Sequence, residues 1–379
     1  MASKLIVVVG ATGSQGSAVI SYVQSHEPSW KIRGLTRNVS SEASQALASK
    51  GVEMITANSN DLSSLESAFT GANYIYAYTD FGTIMGDCMG RFAKGEVSPP
   101  IGLEANKIEQ QHGRNIADAA AGVPGLERLA FSYQASVEKL SQGKYTKSYH
   151  FEAKASIAKY MLAHQGLKGK VSLCQLGVFN TNAIKLSDFF GIRKQPDGSA
   201  LWSPPLAATT LLPWIDIEAD LGSYVTSLIA LPRAPIEVLC VSEWLTGVQW
   251  LELWSKHTGI LARYEASDGI HKAMEPTGIA EQMSQTMRFM DEFGMKVQEP
   301  GVLMPEDLAK EGVAVQQTKV ADYIAREDWS SIVVDESTAQ NARGGNLAPE
   351  VRNYTAFRSD TQSKQPRCHS IHLSCAPEP

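Results

Sequence analysis

Residues 4–16, Lys-Leu-Ile-Val-Val-Val-Gly-Ala-Thr-Gly-Ser-Gln-Gly, constrain the fold more than any other stretch of the chain. Residues 5–9 form a short, mostly β-branched apolar run, the pattern of a strand buried on both faces. The run ends directly in a G-x-x-G-x-x-G turn, and residues 17–24 then read as a helix with Ala18, Val19, Tyr22 and Val23 on one face. A glycine-rich turn between a buried strand and a helix lets backbone N–H groups close on a pyrophosphate, whose charge the helix N-terminus favours. The bland alternative is a Gly-rich turn without a ligand, and the flanking strand and helix weigh against it. Gly10, Thr12, Gly13, Ser14, Gln15 and Gly16 are therefore the expected cradle of a dinucleotide.

The rest of the first half continues the alternation that such a start implies. Residues 31–36, 52–57, 72–78 and 126–132 read as strands, with helices over 41–50, 63–69 and 101–121 between them. A helix over 149–164 and a sixth strand over 170–176 follow. This order calls for an α/β fold, a doubly wound parallel sheet of six or seven strands. Residues 80–100, rich in Gly and Met, show no clear period and read as an irregular cover over the strand ends. Residues 177–213, carrying Pro196, Pro204, Pro205 and Pro213, read as a second cover.

Beyond these covers, helices over 221–230, 246–258, 283–293 and 320–328 and a strand over 237–241 suggest a smaller α/β C-terminal lobe. The expected organisation is a dinucleotide-binding domain over 1–176, a substrate or partner lobe over 177–334, and a loosely held polar tail over 335–379.

Arg37 sits at the end of the second strand, where an acidic residue reads ribose hydroxyls and an arginine accommodates a 2′-phosphate. With Asn38 and Ser40 beside it, Arg37 favours NADP(H) over NAD; a solvated surface arginine is the competing reading. Asp61 either accepts from an adenine amino group or caps the helix that follows it.

A formal charge of −6 and the lack of a Lys/Arg-rich block argue against direct nucleic-acid binding. Five scattered cysteines do not make a secreted disulfide framework, and no stretch has the length of a membrane span. No cleavable leader is read at the N-terminus, so the expected location is the cytosol, with the nucleus left open. Cys368, His369, His372 and Cys375 are zinc-ligand types, but their spacing matches no closed zinc site, and no metal is expected.

The helix after the fifth strand opens Lys147-Ser148-Tyr149-His150-Phe151-Glu152-Ala153-Lys154. A tyrosine four residues before a lysine would put a phenol and an ammonium on one helical face. Here His150 holds that position, and Tyr149, five residues away, is turned off the lysine face. The turn at residues 10–16, Arg37, the stretch from Tyr149 to Lys154, Trp214-Ile215-Asp216-Ile217-Glu218-Ala219-Asp220 and Thr258-Gly259 together resemble the NmrA-like family. The resemblance covers roughly residues 4–330.

That resemblance implies an atypical short-chain dehydrogenase with a Rossmann fold that binds NADP(H). Its members are of two kinds: reductases of small molecules, many in fungal specialised metabolism, in which a lysine substitutes for the tyrosine, and regulators that sense the nucleotide and bind another protein. Lys154 is the expected group at the nicotinamide ribose, gripping it or also acting as the acid. Tyr133, at the end of the fifth strand, is a candidate phenol or a core residue, and Ser132 a candidate bond to substrate or carboxamide. His150 is a candidate proton relay if its pKa stays near neutrality. Ser132-Tyr133-Gln134-Ala135-Ser136 and Leu176-Gly177 depart from the family pattern beside the nicotinamide.

Overall fold

The computed structural model describes residues 3–185, 191–267, 272–296, 298–333 and 370–372. The first half runs β1 (Leu5–Val8), α1 (Ser14–His26), β2 (Lys31–Thr36), α2 (Glu42–Ser49), β3 (Glu53–Thr56), α3 (Leu62–Phe69) and β4 (Tyr74–Ala77). It continues with α4 (Phe81–Ala93), α5 (Ile101–Ala121), β5 (Arg128–Tyr133), α6 (Val137–Leu140), α7 (Tyr149–Ala163) and β6 (Val171–Leu176). The sheet has seven strands, all parallel, in the order Ile236–Cys240, β6, β5, β4, β1, β2, β3.

Both faces are apolar because strand residues alternate between two cores. On one face Ile6, Val8 and Tyr76 pack with α1 and the helix Ile217–Ala230. A Cβ at Gly222 would lie 2.1 Å from the Tyr22 Cβ, so that glycine is what lets these two helices touch. On the other face Val7, Ile75, Leu129 and Phe131 pack with α3, α5 and α7.

The doubly wound parallel sheet matches the sequence reading, and three details correct it. Residues 80–100 are irregular only over 94–100: Phe81–Ala93 is helical, capped by the Asp80 side chain accepting from the Thr83 N–H, with Ile84 and Cys88 buried. Gly82, Gly86 and Gly90 hid the periodicity, since each is a poor helix former. The helix expected from 221 begins at Ile217, because Asp216 is its N-cap. The cover expected over 177–213 contains regular strands: Ile192–Lys194 and Ala200–Trp202 pair antiparallel, and Leu211–Ile215 pairs with Glu243–Thr246. The tail's Ser370–His372 pairs antiparallel with Ala262–Glu265, while Cys368, His369 and Cys375 lie outside the described residues.

The second half folds around aromatic side chains. Trp202, Trp214, Trp250, Trp254, Tyr264, Tyr323 and Trp329 share one buried cluster, with ring centroids 5.5–6.2 Å apart in tilted or edge-to-face pairs. The acidic motif at 216–220 serves as a clasp. Asp220 accepts from Thr318 N–H and Oγ1 and from Ser242, and Asp216 binds Arg326, so the segment around 316–326 is tied to the start of the helix Ile217–Ala230. No helix among the described residues is long and apolar enough to cross a membrane.

Candidate active site

The glycine turn is built as the motif demands. Gly10 has φ +67°, a left-handed conformation that suits glycine, and a Cβ on Gly16 would lie 2.3 Å from the Gly10 carbonyl oxygen. Gly13 caps α1 with no side-chain hydrogen bond, so the first-turn N–H groups face outward and can meet an anion. Thr12 and Ser14 are exposed there, and Gln15 is held from below by Tyr76, whose hydroxyl donates to its Oε1 at 2.7 Å.

Two residues beyond β4 link this turn to the chemistry. Successive side chains on an extended chain point to opposite faces. Tyr78 turns toward the glycines, its hydroxyl donating to the Gly10 carbonyl at 3.1 Å, and burial pushes its phenol up to about 12. Thr79 turns the other way, toward α7, and its carbonyl and Oγ1 accept from the Lys154 ammonium at 2.7 and 3.1 Å. The third Lys154 donor goes to Glu109 Oε1 on α5. Glu109 is wholly buried; its Oε1 also accepts from Thr79 Oγ1 at 2.7 Å, and its Oε2 has no partner.

The spacing of α5 and α7 makes this contact possible. A Cβ at Gly113 would lie 2.4 Å from the Ile157 side chain, so the two helices approach closely one turn beyond Glu109 and Lys154. Gly113 therefore sets the distance at which a glutamate on one helix can reach a lysine on the other.

The remaining expected residues separate. Arg37 is exposed, and its charge bears on Tyr78 and His112, lowering the pKa of each in part. Asp61 caps α3 through Oδ1, which accepts from Ser63 and Ser64 N–H, and Oδ2 carries no bond toward the helix. Tyr133 is buried in the sheet core and donates to Gln175 Oε1 at 3.3 Å, the packing alternative rather than a free phenol. Ser132 is likewise buried and faces Tyr76.

His150 is not a near-neutral relay. Burial, with Phe81 at 5.7 Å and Phe151 at 4.9 Å, and then the Lys154 charge, push its pKa down to about 3, so it is neutral at physiological pH. Its Nδ1 pairs with Gln282 at 3.0 Å on the helix Ile279–Phe293. That helix also meets Ser148 through Thr286 and the N–H groups of Thr146 and Lys147 through Gln285, so it roofs the start of α7.

Glu109, Thr79, Tyr78 and Gln282 were not anticipated. Glu109 left one trace: it sits on the inward stripe of α5 with Ala105, Gly113, Ile116 and Ala120, where a carboxylate needs a partner. A cavity of about 430 Å³ lies at the opposite, amino-terminal end of the strands, lined by Trp30, Tyr74, Glu127 and Arg128, and holds none of these residues. Among the described residues no group of three metal-ligand side chains comes together.

Comparison with known proteins agrees with the fold. The profile of the NmrA-like family matches residues 2–332. The NmrA-like family domain-containing oxidoreductase cpsB of Aspergillus campestris is 29% identical over 241 residues, 60% of this chain and 65% of that one. The corresponding oxidoreductase malD of Malbranchea aurantiaca is 23% identical over 338 residues, 86% of this chain and 95% of that one. The solved structure of Nmra, a negative transcriptional regulator, in complex with NADP superposes with a TM-score of 0.59 at 18% identity, covering 94% of this chain and 99% of that chain.

Proposed function

The chain belongs to the NmrA-like family, and from that premise we propose that it is an NADP(H)-dependent oxidoreductase that reduces a small carbonyl, enone or imine. The relatives named above as oxidoreductases and the NADP-bound fold neighbour support this reading. The observation that carries it is the junction at Tyr78–Thr79, which puts the glycine turn and the Lys154 ammonium on two sides of one strand end.

NADPH would lie along the carboxyl ends of β1, β4 and β5, with the glycine turn at its pyrophosphate and Arg37 at the 2′-phosphate, and it supplies the hydride. Lys154 would stand beside the nicotinamide ribose. Its fixed positive charge favours the negative charge that develops on the substrate heteroatom as hydride arrives. Neutral His150 offers Nε2 for a hydrogen bond to substrate, and the helix Ile279–Phe293 closes the site from above. A place in fungal-type specialised metabolism fits the oxidoreductase relatives.

A second reading, a nucleotide sensor that binds a regulatory protein, has one observation in its favour. All three Lys154 donors are already engaged within the protein. Titrating NADPH and NADH and following NADPH consumption with a panel of carbonyls, enones and imines separates the two. The reductase reading expects NADPH binding and turnover; tight NADPH binding with no turnover across the panel moves the sensor reading ahead.

A further inference from the structure

The Glu109 carboxylate is 0% exposed, yet only half of it is used: Oε1 takes bonds from Thr79 and Lys154, and Oε2 takes none. For stability alone this is a poor arrangement, since a buried ion pair is often no better than apolar residues of the same volume. It does fix where a positive charge stands. Lys154 keeps a side chain 17% exposed, and Thr79 and Glu109 fix where its ammonium stands.

We propose that Glu109 is a positioning residue of the reaction centre: with Thr79 it holds the Lys154 ammonium at the carboxyl end of β4, where it would serve the nicotinamide ribose and the reacting heteroatom. The assignment rests on the reductase reading and deepens it. A flexible lysine would reach the same place through many rotamers, and a preorganised charge is worth more in a transition state than one that must be collected there. Thr79 Oγ1 completes the arrangement by donating to Glu109 while accepting from Lys154.

The test is a double-mutant cycle of Glu109→Gln and Lys154→Met, with Glu109→Asp alongside, read in kcat, KM and NADPH affinity by fluorescence. Glu109→Gln keeps the shape and removes the charge. It should lower kcat by about thirtyfold and weaken NADPH by about threefold. Glu109→Asp should recover most of the kcat, which a merely structural role would not require. In the Lys154→Met background, Glu109→Gln should change neither quantity further.

A folded Glu109→Gln protein with wild-type kcat, or effects that simply add to those of Lys154→Met, would overturn the proposal. If the wild type turns over no substrate, the reductase reading fails, and the affinity cycle decides this one by itself. Non-additive affinities would keep Glu109 as the residue that positions Lys154 for the ribose, and additive ones would remove it.

Discussion

Among the described residues two carboxylates lie wholly out of solvent, Glu109 on α5 and Asp220 on the helix Ile217–Ala230, and they are furnished in opposite ways. Asp220 touches no cation: Thr318 N–H and Oγ1 and the Ser242 hydroxyl occupy both of its oxygens, and burial raises its pKa. Glu109 has a cation and a spare oxygen. The closed arrangement fastens the C-terminal segment to the helix Ile217–Ala230. The open one fixes its partner, Lys154, beside Thr79 at the carboxyl end of β4. A buried charge that is fully bonded is thus a clasp, and one that is half bonded and paired with an accessible cation points to chemistry.

The largest effect should come from removing one partner of the open pair. Lys154→Met strands the Glu109 charge in the interior and should cost about 3–5 kcal/mol in urea unfolding. Adding Glu109→Gln should return most of that stability, and a double mutant no more stable than the single would break the comparison. At the closed site, Asp220→Ala strands the Thr318 and Ser242 donors and should cost about 3 kcal/mol while leaving NADPH affinity unchanged. A large loss of affinity there would show that the clasp also shapes the cofactor site.

Glu237 shows what happens to a carboxylate with no cation at all. Its Oε1 is buried without a partner, and burial, then Glu299, push its pKa from 4.5 to about 7. The native state therefore holds this proton more tightly than the unfolded chain does. Its contribution to stability is greatest below pH 4.5, falls as pH rises toward 7, and is flat above. Glu237→Gln should remove that slope and gain on the order of 2 kcal/mol at pH 8, measured as unfolding free energy against pH. The smallest expected effect is at the surface: Arg37→Ala should weaken NADPH about tenfold, near 1.4 kcal/mol, and leave NADH unchanged in calorimetric titration.

The parts of the molecule that were legible in the sequence are those whose physics is local. The β1–turn–α1 unit, the alternation of the parallel sheet and the inward lysine of α7 can all be read from short windows. The α4 helix escaped because three glycines diluted its pattern. The site's electrostatics escaped for a different reason. Glu109 meets Lys154 across 45 residues, and His150 packs against Phe81 on α4 and pairs with Gln282 across 132 residues. No spacing along the chain encodes such pairings. The aromatic core of the second half likewise gathers tryptophans from positions 202 to 329, which a periodic pattern does not connect.

The central claim is that the Lys154 charge, held by Glu109, serves NADPH-dependent reduction. Its most direct measurement compares NADPH consumption by the wild type and by the Lys154→Met/Glu109→Gln double mutant, whose fold the paired replacement protects. The double mutant should still bind NADPH but reduce the accepted substrate at least about a hundredfold more slowly. A double mutant that keeps the wild-type rate would contradict it.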